Sequence, residues 1–204
     1  MSSGIAFDDE NPMRRSDDWT KYTLDGPLVS LPGTEFYYWT GNTIVLGEVI
    51  RKTSGRSIDD IGKEYLFDPL GIKDFRWTYS HSGQTDTGAY FDFSARAMLK
   101  IGILVLQEGV WEGKRIVSKE WIEKSTAPYF DNYGYSWWRS GAQDEDNFYV
   151  IYYADGNGGN RIYVVPHHKL VVVISASNYE SVYSGASEYI LYSLILPQLD
   201  NLLY

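Results

Sequence analysis

Two stretches of this 204-residue sequence carry residue types at spacings that could do chemistry. The first is Pro32-Gly33-Thr34-Glu35-Phe36-Tyr37-Tyr38-Trp39-Thr40-Gly41-Asn42-Thr43, which runs into an apolar segment. A tyrosine phenol titrates near ~10, so Tyr38 is a poor base at neutral pH unless a cation sits beside it. Given such a cation it can pass a proton between a nucleophile and a leaving group, while Thr40 offers a hydroxyl two residues on. Taken alone, Tyr38 is one of 18 tyrosines, and a packed ring is the plainer reading. The second stretch is Asp155-Gly156-Asn157-Gly158-Gly159-Asn160-Arg161, which opens a strand-like run. Glycines let a strand edge lie flat against a ligand, and a bare N–H there can point at developing negative charge. By motif alone, a hairpin loop is the plainer reading of it.

Other chemistries find no support. The residues three positions before the lysines are Asp18, Val49, Asp60, Leu70, Ala97, Trp111, Ile116, Trp121 and Pro166, so no Ser-x-x-Lys occurs in these residues. There is no Gly-x-Ser-x-Gly elbow, phosphate loop or dinucleotide fingerprint. His81, His167 and His168 lack metal spacing, and His167-His168 reads as a turn. Absence of cysteine removes disulfides, thiolate metal sites and a cysteine nucleophile, and fits periplasm, cytosol or secretion equally. A net charge of −9 spread along the chain argues against a nucleic-acid partner. No run of 18 apolar residues exists, so no membrane span is expected. An aromatic content of 16% points to ring-rich strands before it points to a ligand-stacking surface.

The elements that must hold these stretches follow from periodicity and caps. Residues 1–31 read as irregular, with Asp8-Asp9-Glu10-Asn11-Pro12 a turn and a short helix near 17–22. A helix is expected over 44–55, capped by Asn42, ended by Gly55, and with Ile44, Val45, Val49 and Ile50 on one face. Ser57 caps a second helix that stops at Asp68-Pro69. Residues 73–93 read as loop. Ser94 caps an amphipathic helix ending at Gly109, and Ser118 caps another through about Thr126. The remainder changes period: 135–139, 148–154, 160–165 and 170–177 read as strands, the last three as an antiparallel meander with turns at Asp155-Gly156 and at 166–169. An amphipathic helix over 183–196, followed by Pro197, covers one sheet face. Helices in the middle and strands at the end make an α+β class, mostly helical over residues 1–127 and sheet-forming over residues 128–204.

Several of these motifs resemble one family. The Pro-Gly-Thr lead-in before Tyr38, Phe67-Asp68-Pro69-Leu70-Gly71-Ile72, the Gly88-Ala89-Tyr90 and Gly109-x-Trp111-x-Gly113-Lys114-Arg115-Ile116 run, and the Gly-x-Gly-Gly of 156–159 are similar to the serine β-lactamase and penicillin-binding-protein superfamily, in its class C-like esterase and amidase branch. The resemblance implies a β-lactamase/transpeptidase-like fold and acyl-enzyme hydrolysis of a small ester or amide, without a cofactor. It implies that Tyr38 is the catalytic tyrosine, with Thr40 where Asn or Ser is commoner. It implies that Asn157, Gly158 and Gly159 form the third motif, and that the Asn160 N–H is half of an oxyanion hole. Met1-Ser2-Ser3-Gly4 looks like the interior of a longer family sequence. The expectation is therefore the C-terminal portion of a hydrolase, lacking the nucleophile segment, inactive as written, and associating with itself or with a segment that supplies the missing portion. The alternative is a non-catalytic binding relative or structural fragment that keeps the cleft.

Overall fold

The computed structural model describes residues 1–144, 147–183 and 185–200. Contacts divide the chain into two compact units, Met1–Phe93 and Ser94–Tyr204. The helices Ala95–Leu106 and Lys119–Thr126, read above with the helical portion, fall in the second unit with the strands.

In unit 1, helix α1 (Asn11–Arg15) replaces the expected turn, because Pro12 sits in its first turn, where a missing N–H is no loss. Helix α2 (Trp19–Leu24) is capped by Asp18, whose carboxylate accepts from the Lys21 N–H at 2.8 Å. Helix α3 spans Thr40–Ser54 and ends on Gly55 in the left-handed conformation. It starts earlier than expected, with Trp39 and not Asn42 at the cap. Its buried face also differs from the expected stripe: Gly41, Ile44 and Gly47 face inward, while Leu46, Val49 and Ile50 are exposed. Neighbours approach the two glycines too closely for larger side chains. Helix α4 (Ile58–Gly62), capped by Ser57, passes into a π-helical turn, Lys63–Phe67. Residues 73–93, read as loop, contain a two-residue ribbon of β1 (Phe75–Arg76) and β2 (Asp92–Phe93). It carries Phe75, Phe91 and Phe93 onto Phe67, with ring centroids 4.1–5.7 Å apart among Phe67–Phe75, Phe67–Phe91, Phe67–Phe93 and Phe91–Phe93.

In unit 2, α5 (Ala95–Leu106) and α6 (Lys119–Thr126) are capped by Ser94 and Ser118 as expected. Between them lies a small ribbon of β3 (Val110–Trp111) and β4 (Lys114–Arg115). Four strands, β5 (Trp138–Gln143), β6 (Phe148–Gly156), β7 (Asn160–Val165) and β8 (Leu170–Ile174), form one antiparallel sheet in sequence order. The first strand starts at Trp138, not 135, and the last stops at Ile174, not 177.

The sheet is covered on both faces. Helix α5 packs on β7 and β8, where a Cβ on Gly102 would lie 2.5 Å from Val171 Cγ1, so only glycine lets the helix approach this closely. On the other face Tyr149, Ile151, Tyr163 and Val165 meet Leu191 and Leu196 from the final helical run. That run is α7 (Ala186–Tyr189), a π-helical stretch Ile190–Ile195, and α8 (Leu196–Asp200). Pro197 does not end it as expected: the helical run passes from the π-helical stretch through Pro197 into α8. The mixed helix and antiparallel-sheet architecture is the α+β fold the sequence implies. Among the described residues, no helix is long and apolar enough to cross a membrane.

Candidate active site

Tyr38, Trp39 and Thr40 are consecutive in unit 1, and the backbone decides how they divide. Trp39 is extended (φ −139°, ψ 120°) at the cap of α3, and successive extended residues point to opposite sides. Trp39 turns inward, 5% exposed, and stacks on Phe7 with centroids 4.8 Å apart. Tyr38 keeps 54% of its surface accessible. The segment before it is tied to residues 1–4: Tyr37 N–H donates to Met1 O (2.9 Å), Gly33 N–H to Ser2 O (2.8 Å) and Val29 N–H to Gly4 O (2.8 Å). The adjacent Tyr37 is a different case. Its hydroxyl donates to Glu35 Oε2 at 2.8 Å, and that hydrogen bond with the Glu35 charge raises its pKa, which disfavours its phenolate.

Thr40 opens α3, and its surroundings involve Gly88 of the family-like run together with Thr23, Asp86 and Arg14, which the sequence did not single out. A Cβ on Gly41 would fall 2.2 Å from Trp39 Nε1 and 2.5 Å from Thr23 Oγ1. A Cβ on Gly88 would lie 2.4 Å from the Thr40 methyl, and Thr87 Oγ1 donates to Thr43 O at 2.7 Å. The turn carrying Thr87 and Gly88 is held by Asp86, whose side chain is 0% exposed. Its carboxylate accepts from Arg14 Nη1 (2.6 Å) and from the N–H groups of Gly88 and Ala89 (both 2.9 Å). Arg14 also lies over the Tyr90 ring at 4.6 Å. Burial works against the Arg14 charge, but the carboxylates of Asp86 and Glu10 outweigh it and raise its pKa. An Asp before Thr-Gly, far in sequence from an Arg, leaves no periodic signal that could have exposed this pin.

In unit 2, the expected turn at Asp155-Gly156 lies two residues later, because both residues still belong to β6. The turn is Asn157-Gly158-Gly159, closed by the pair Gly156–Asn160. Gly158 (φ +78°) and Gly159 (φ +89°) adopt the left-handed region, which explains two glycines in succession. The Tyr179 ring lies against Gly158, 2.7 Å from where a Cβ would stand. Asn157 Oδ1 accepts from the Gly158 N–H (2.7 Å). The Asn160 side chain is used structurally: Nδ2 donates to Asn157 O (2.9 Å) and Ala176 O (3.0 Å), and Oδ1 accepts from Ala176 N–H (3.1 Å). Its backbone pairs with Gly156 at the end of the β6–β7 ladder.

Beneath the turn, the nearly buried Arg161 pairs with Asp155 (2.6 Å) and Glu188 (2.8 Å). Burial raises the Asp155 pKa despite the attraction of Arg161. Burial also opposes the Arg161 charge, yet its pKa is raised, by the Glu188 hydrogen bond and then by the Asp155 charge. Glu188 Oε1 accepts from both Nε (3.2 Å) and Nη2 (2.8 Å) of Arg161.

Tyr38 and Thr40 belong to the first compact unit, and Asn157, Gly158, Gly159 and Asn160 to the second. Within each unit they are neighbours in sequence: Tyr38 and Thr40 flank Trp39, and Asn157, Gly158 and Gly159 form the turn that Asn160 closes. Among the described residues, no three of His, Asp and Glu are grouped as a metal set.

A family model described as Beta-lactamase matches residues 1–192. The 6-aminohexanoate-dimer hydrolase of Paenarthrobacter ureafaciens is 29% identical over 94 residues, 46% of this chain and 24% of that protein. Among solved structures, a putative 6-aminohexanoate-dimer hydrolase from Bacillus anthracis superposes with a TM-score of 0.72 at 22% identity, covering 88% of this chain and 47% of that one. An octameric penicillin-binding-protein homologue from Pyrococcus abyssi superposes with a TM-score of 0.62 at 20% identity, covering 90% and 49%. These likenesses establish the fold. The chain spans about half the length of these solved relatives.

Proposed function

Because this chain belongs to the Beta-lactamase family, we propose that it supplies the tyrosine and the oxyanion-side elements of a serine hydrolase that cleaves an ester or amide through an acyl-enzyme. Tyr38 moves the proton between the serine and the leaving group, and the Thr40 hydroxyl holds the lysine or the substrate amide. Asn157, Gly158 and Gly159 lie along the substrate, and the turn that Asn160 closes offers one of two donors to the oxyanion. The chemistry calls for no cofactor. The observation that carries this reading is the contrast at the head of α3: Trp39 is buried as an anchor, while its neighbour Tyr38 stays exposed in a segment pinned by three backbone hydrogen bonds.

The serine and lysine must come from outside these 204 residues, since no Ser-x-x-Lys lies within them. The isolated chain therefore forms no acyl-enzyme. Mass spectrometry after incubation with a fluorophosphonate or a β-lactam tests this, and a covalent adduct on the chain overturns it. Co-expression with a Ser-x-x-Lys segment of a solved relative should restore hydrolysis of p-nitrophenyl acetate. Tyr38→Phe should then reduce kcat by about 10²–10⁴-fold, in the range of a general acid–base group. A kcat close to that of the parent removes Tyr38 from the mechanism.

The supplier of the missing residues is a complementing segment, and without it the chain is expected to associate with itself. Among the described residues, the β8 strand ends the sheet in sequence order with the apolar run Leu170-Val171-Val172-Val173-Ile174, an edge open to a further strand. The octameric relative makes self-association the first form to test, by sedimentation of the chain alone. A monodisperse monomer with little binding of a hydrophobic dye counts against this element of the proposal. The lack of Ser-x-x-Lys also favours a second reading, a non-catalytic relative that binds a small ester or amide in the inherited site.

A further inference from the structure

The turn between β6 and β7 contains the only Asn-Gly pair of the sequence, Asn157-Gly158. In such a pair the backbone nitrogen of the glycine can attack the asparagine side-chain carbonyl, because glycine has no Cβ to block the approach. Here the two groups already meet. The Gly158 N–H donates to Asn157 Oδ1 at 2.7 Å, and the carbonyl carbon lies one bond beyond that oxygen. Reacting atoms about 3–3.5 Å apart need only a short motion to bond.

The fold holds this arrangement. Asn160 Nδ2 donates to Asn157 O (2.9 Å), which fixes the peptide that carries the Gly158 nitrogen. The Asn178 N–H donates to Gly158 O (2.8 Å), which fixes the next peptide. The Tyr179 ring lies against Gly158. The β6–β7 ladder ends at the Gly156–Asn160 pair, so it makes no claim on the Gly158 N–H. Asn157 is exposed, which lets ammonia leave and water enter.

The two Asp-Gly pairs of the chain are built differently. Asp155 lies within β6, and Arg161 holds its carboxylate at 2.6 Å. Asp25 pairs with Lys21, and the Gly26 N–H donates to Thr23 O at 3.2 Å. In both, a cation engages the carboxylate, which makes it a poor electrophile.

We propose that Asn157 is a self-modification site, at which the fold promotes conversion of Asn157-Gly158 through a cyclic succinimide to aspartate and isoaspartate. The Gly158 nitrogen gives its proton to hydroxide and bonds to Asn157 Cγ. The Cγ–Nδ2 bond breaks, and Nδ2 leaves as ammonia. Water then opens the ring. Its oxygen bonds to one of the two ring carbonyl carbons, that carbon's bond to the Gly158 nitrogen breaks, and the nitrogen regains a proton. Opening at Cγ gives aspartate, and opening at the backbone carbon gives isoaspartate. Both products put a negative charge on the turn, and isoaspartate also adds one carbon to the backbone between the Asn160 and Asn178 anchors. The modification stands independently of the hydrolase reading. Its consequence rests on that reading: if the turn lies along the substrate, the site is disabled as the chain ages.

The test ages the 204-residue chain in mildly alkaline heavy-oxygen water, folded and, in parallel, unfolded in urea. Fragment mass spectrometry should find a heavy oxygen at residue 157 before any other asparagine is converted. The folded chain should convert about tenfold faster than the unfolded one, because the backbone that must otherwise search is already ordered. Asn160→Ala, shown to be folded by circular dichroism, frees the Asn157 carbonyl and should lower the rate towards the unfolded value. Asn157→Gln should leave residue 157 unlabelled. Conversion no faster in the folded chain than in urea, or first at another asparagine, overturns the proposal. An unchanged rate in folded Asn160→Ala overturns the part given to that side chain. With the Ser-x-x-Lys segment co-expressed, kcat for p-nitrophenyl acetate should fall in proportion to the converted fraction. Conversion at unchanged kcat refutes the consequence for the site. Absence of hydrolysis by the freshly made parent refutes the hydrolase reading while the modification stands.

Discussion

Replacing Asp86 is expected to uncouple the turn that presses on the head of α3. The magnitude can be worked from its bonds. Asp86 is fully buried and Arg14 is 14% exposed, so their pair sits between a surface bridge and a buried one. Arg14 keeps Glu10 at 3.2 Å when Asp86 is lost, which spares it from becoming an unpaired buried charge. A charge-assisted hydrogen bond of this kind contributes about 2 kcal/mol, and the two N–H bonds from Gly88 and Ala89 about 1 kcal/mol each. Asp86→Asn retains an acceptor for both N–H groups and should cost about 2 kcal/mol, whereas Asp86→Ala should cost about 4 kcal/mol.

The assay is urea unfolding at pH 7, followed by circular dichroism and tryptophan fluorescence together, because two compact units need not unfold as one. A double-mutant cycle of Asp86→Asn with Arg14→Met isolates the pair, with an expected coupling of about 2 kcal/mol. Hydrogen exchange adds a local readout: the amides of Thr43 and Ile44 should lose protection in Asp86→Ala, since Thr87 no longer steadies the Thr43 carbonyl. The reasoning is refuted if Asp86→Ala costs less than about 1 kcal/mol, or if Asn and Ala are equally damaging, which would make the turn bonds worthless.

The other expectations concern single contacts. Gly158→Ala places a methyl 2.7 Å from the Tyr179 ring at a φ of +78°, and should lower the unfolding free energy by about 1–2 kcal/mol in urea melts. Gly102→Ala drives a methyl to 2.5 Å from Val171 and 2.9 Å from Ile162, so α5 must move off the sheet at a cost of about 1–3 kcal/mol, checked by the same melts. Glu48→Gln tests the pH dependence. The hydrogen bond from Arg51, opposed by burial and aided by the charges of Arg51 and Lys52, holds the Glu48 pKa below its usual 4.5. A depressed carboxyl pKa contributes stability that is present above its ordinary value and disappears as pH falls through the lowered one. The variant should thus be about 0.5 kcal/mol less stable than the parent at pH 7, and equal to it once the carboxyl is protonated near pH ~2. A gap that persists in acid points to lost packing in place of lost charge.

What can be read in the sequence, and what cannot, divides by range. Ser57, Ser94 and Ser118 are legible as caps, because a cap is a relation between a residue and the amide three positions on, and each side chain accepts from that N–H. The meander is legible because β-branched and aromatic runs alternate with turn residues. The buried face of α3 is not legible, for the opposite reason. Periodicity picks the apolar stripe of Ile44, Val45, Val49 and Ile50, yet the inward face follows Gly41, Ile44 and Gly47, since it is the cap residue Trp39, with Thr23 and Thr87 from elsewhere, that fills that side. Hydropathy describes what a helix offers, and only the neighbours decide what it buries.

The same limit applies to the candidate site, and it has a chemical meaning. The sequence displays Tyr38 and the glycines of residues 158 and 159 because their motifs are unusual. It conceals Asp86, Arg14 and Arg161, which are ordinary polar residues made specific by burial. Yet a phenol beside a helix end and a turn of glycines have no direction of their own. Direction comes from Trp39 stacked on Phe7, from Thr87 on the Thr43 carbonyl, and from the Gly156–Asn160 pair that closes the turn. If preorganisation is where such a site gains its rate, these concealed residues should carry a kinetic effect without touching substrate. Asp86→Asn in the co-expressed enzyme should then lower kcat more than a destabilising Gly102→Ala does, although both variants remain folded at pH 7. Equal losses in the two would mean that Asp86 supports the fold alone.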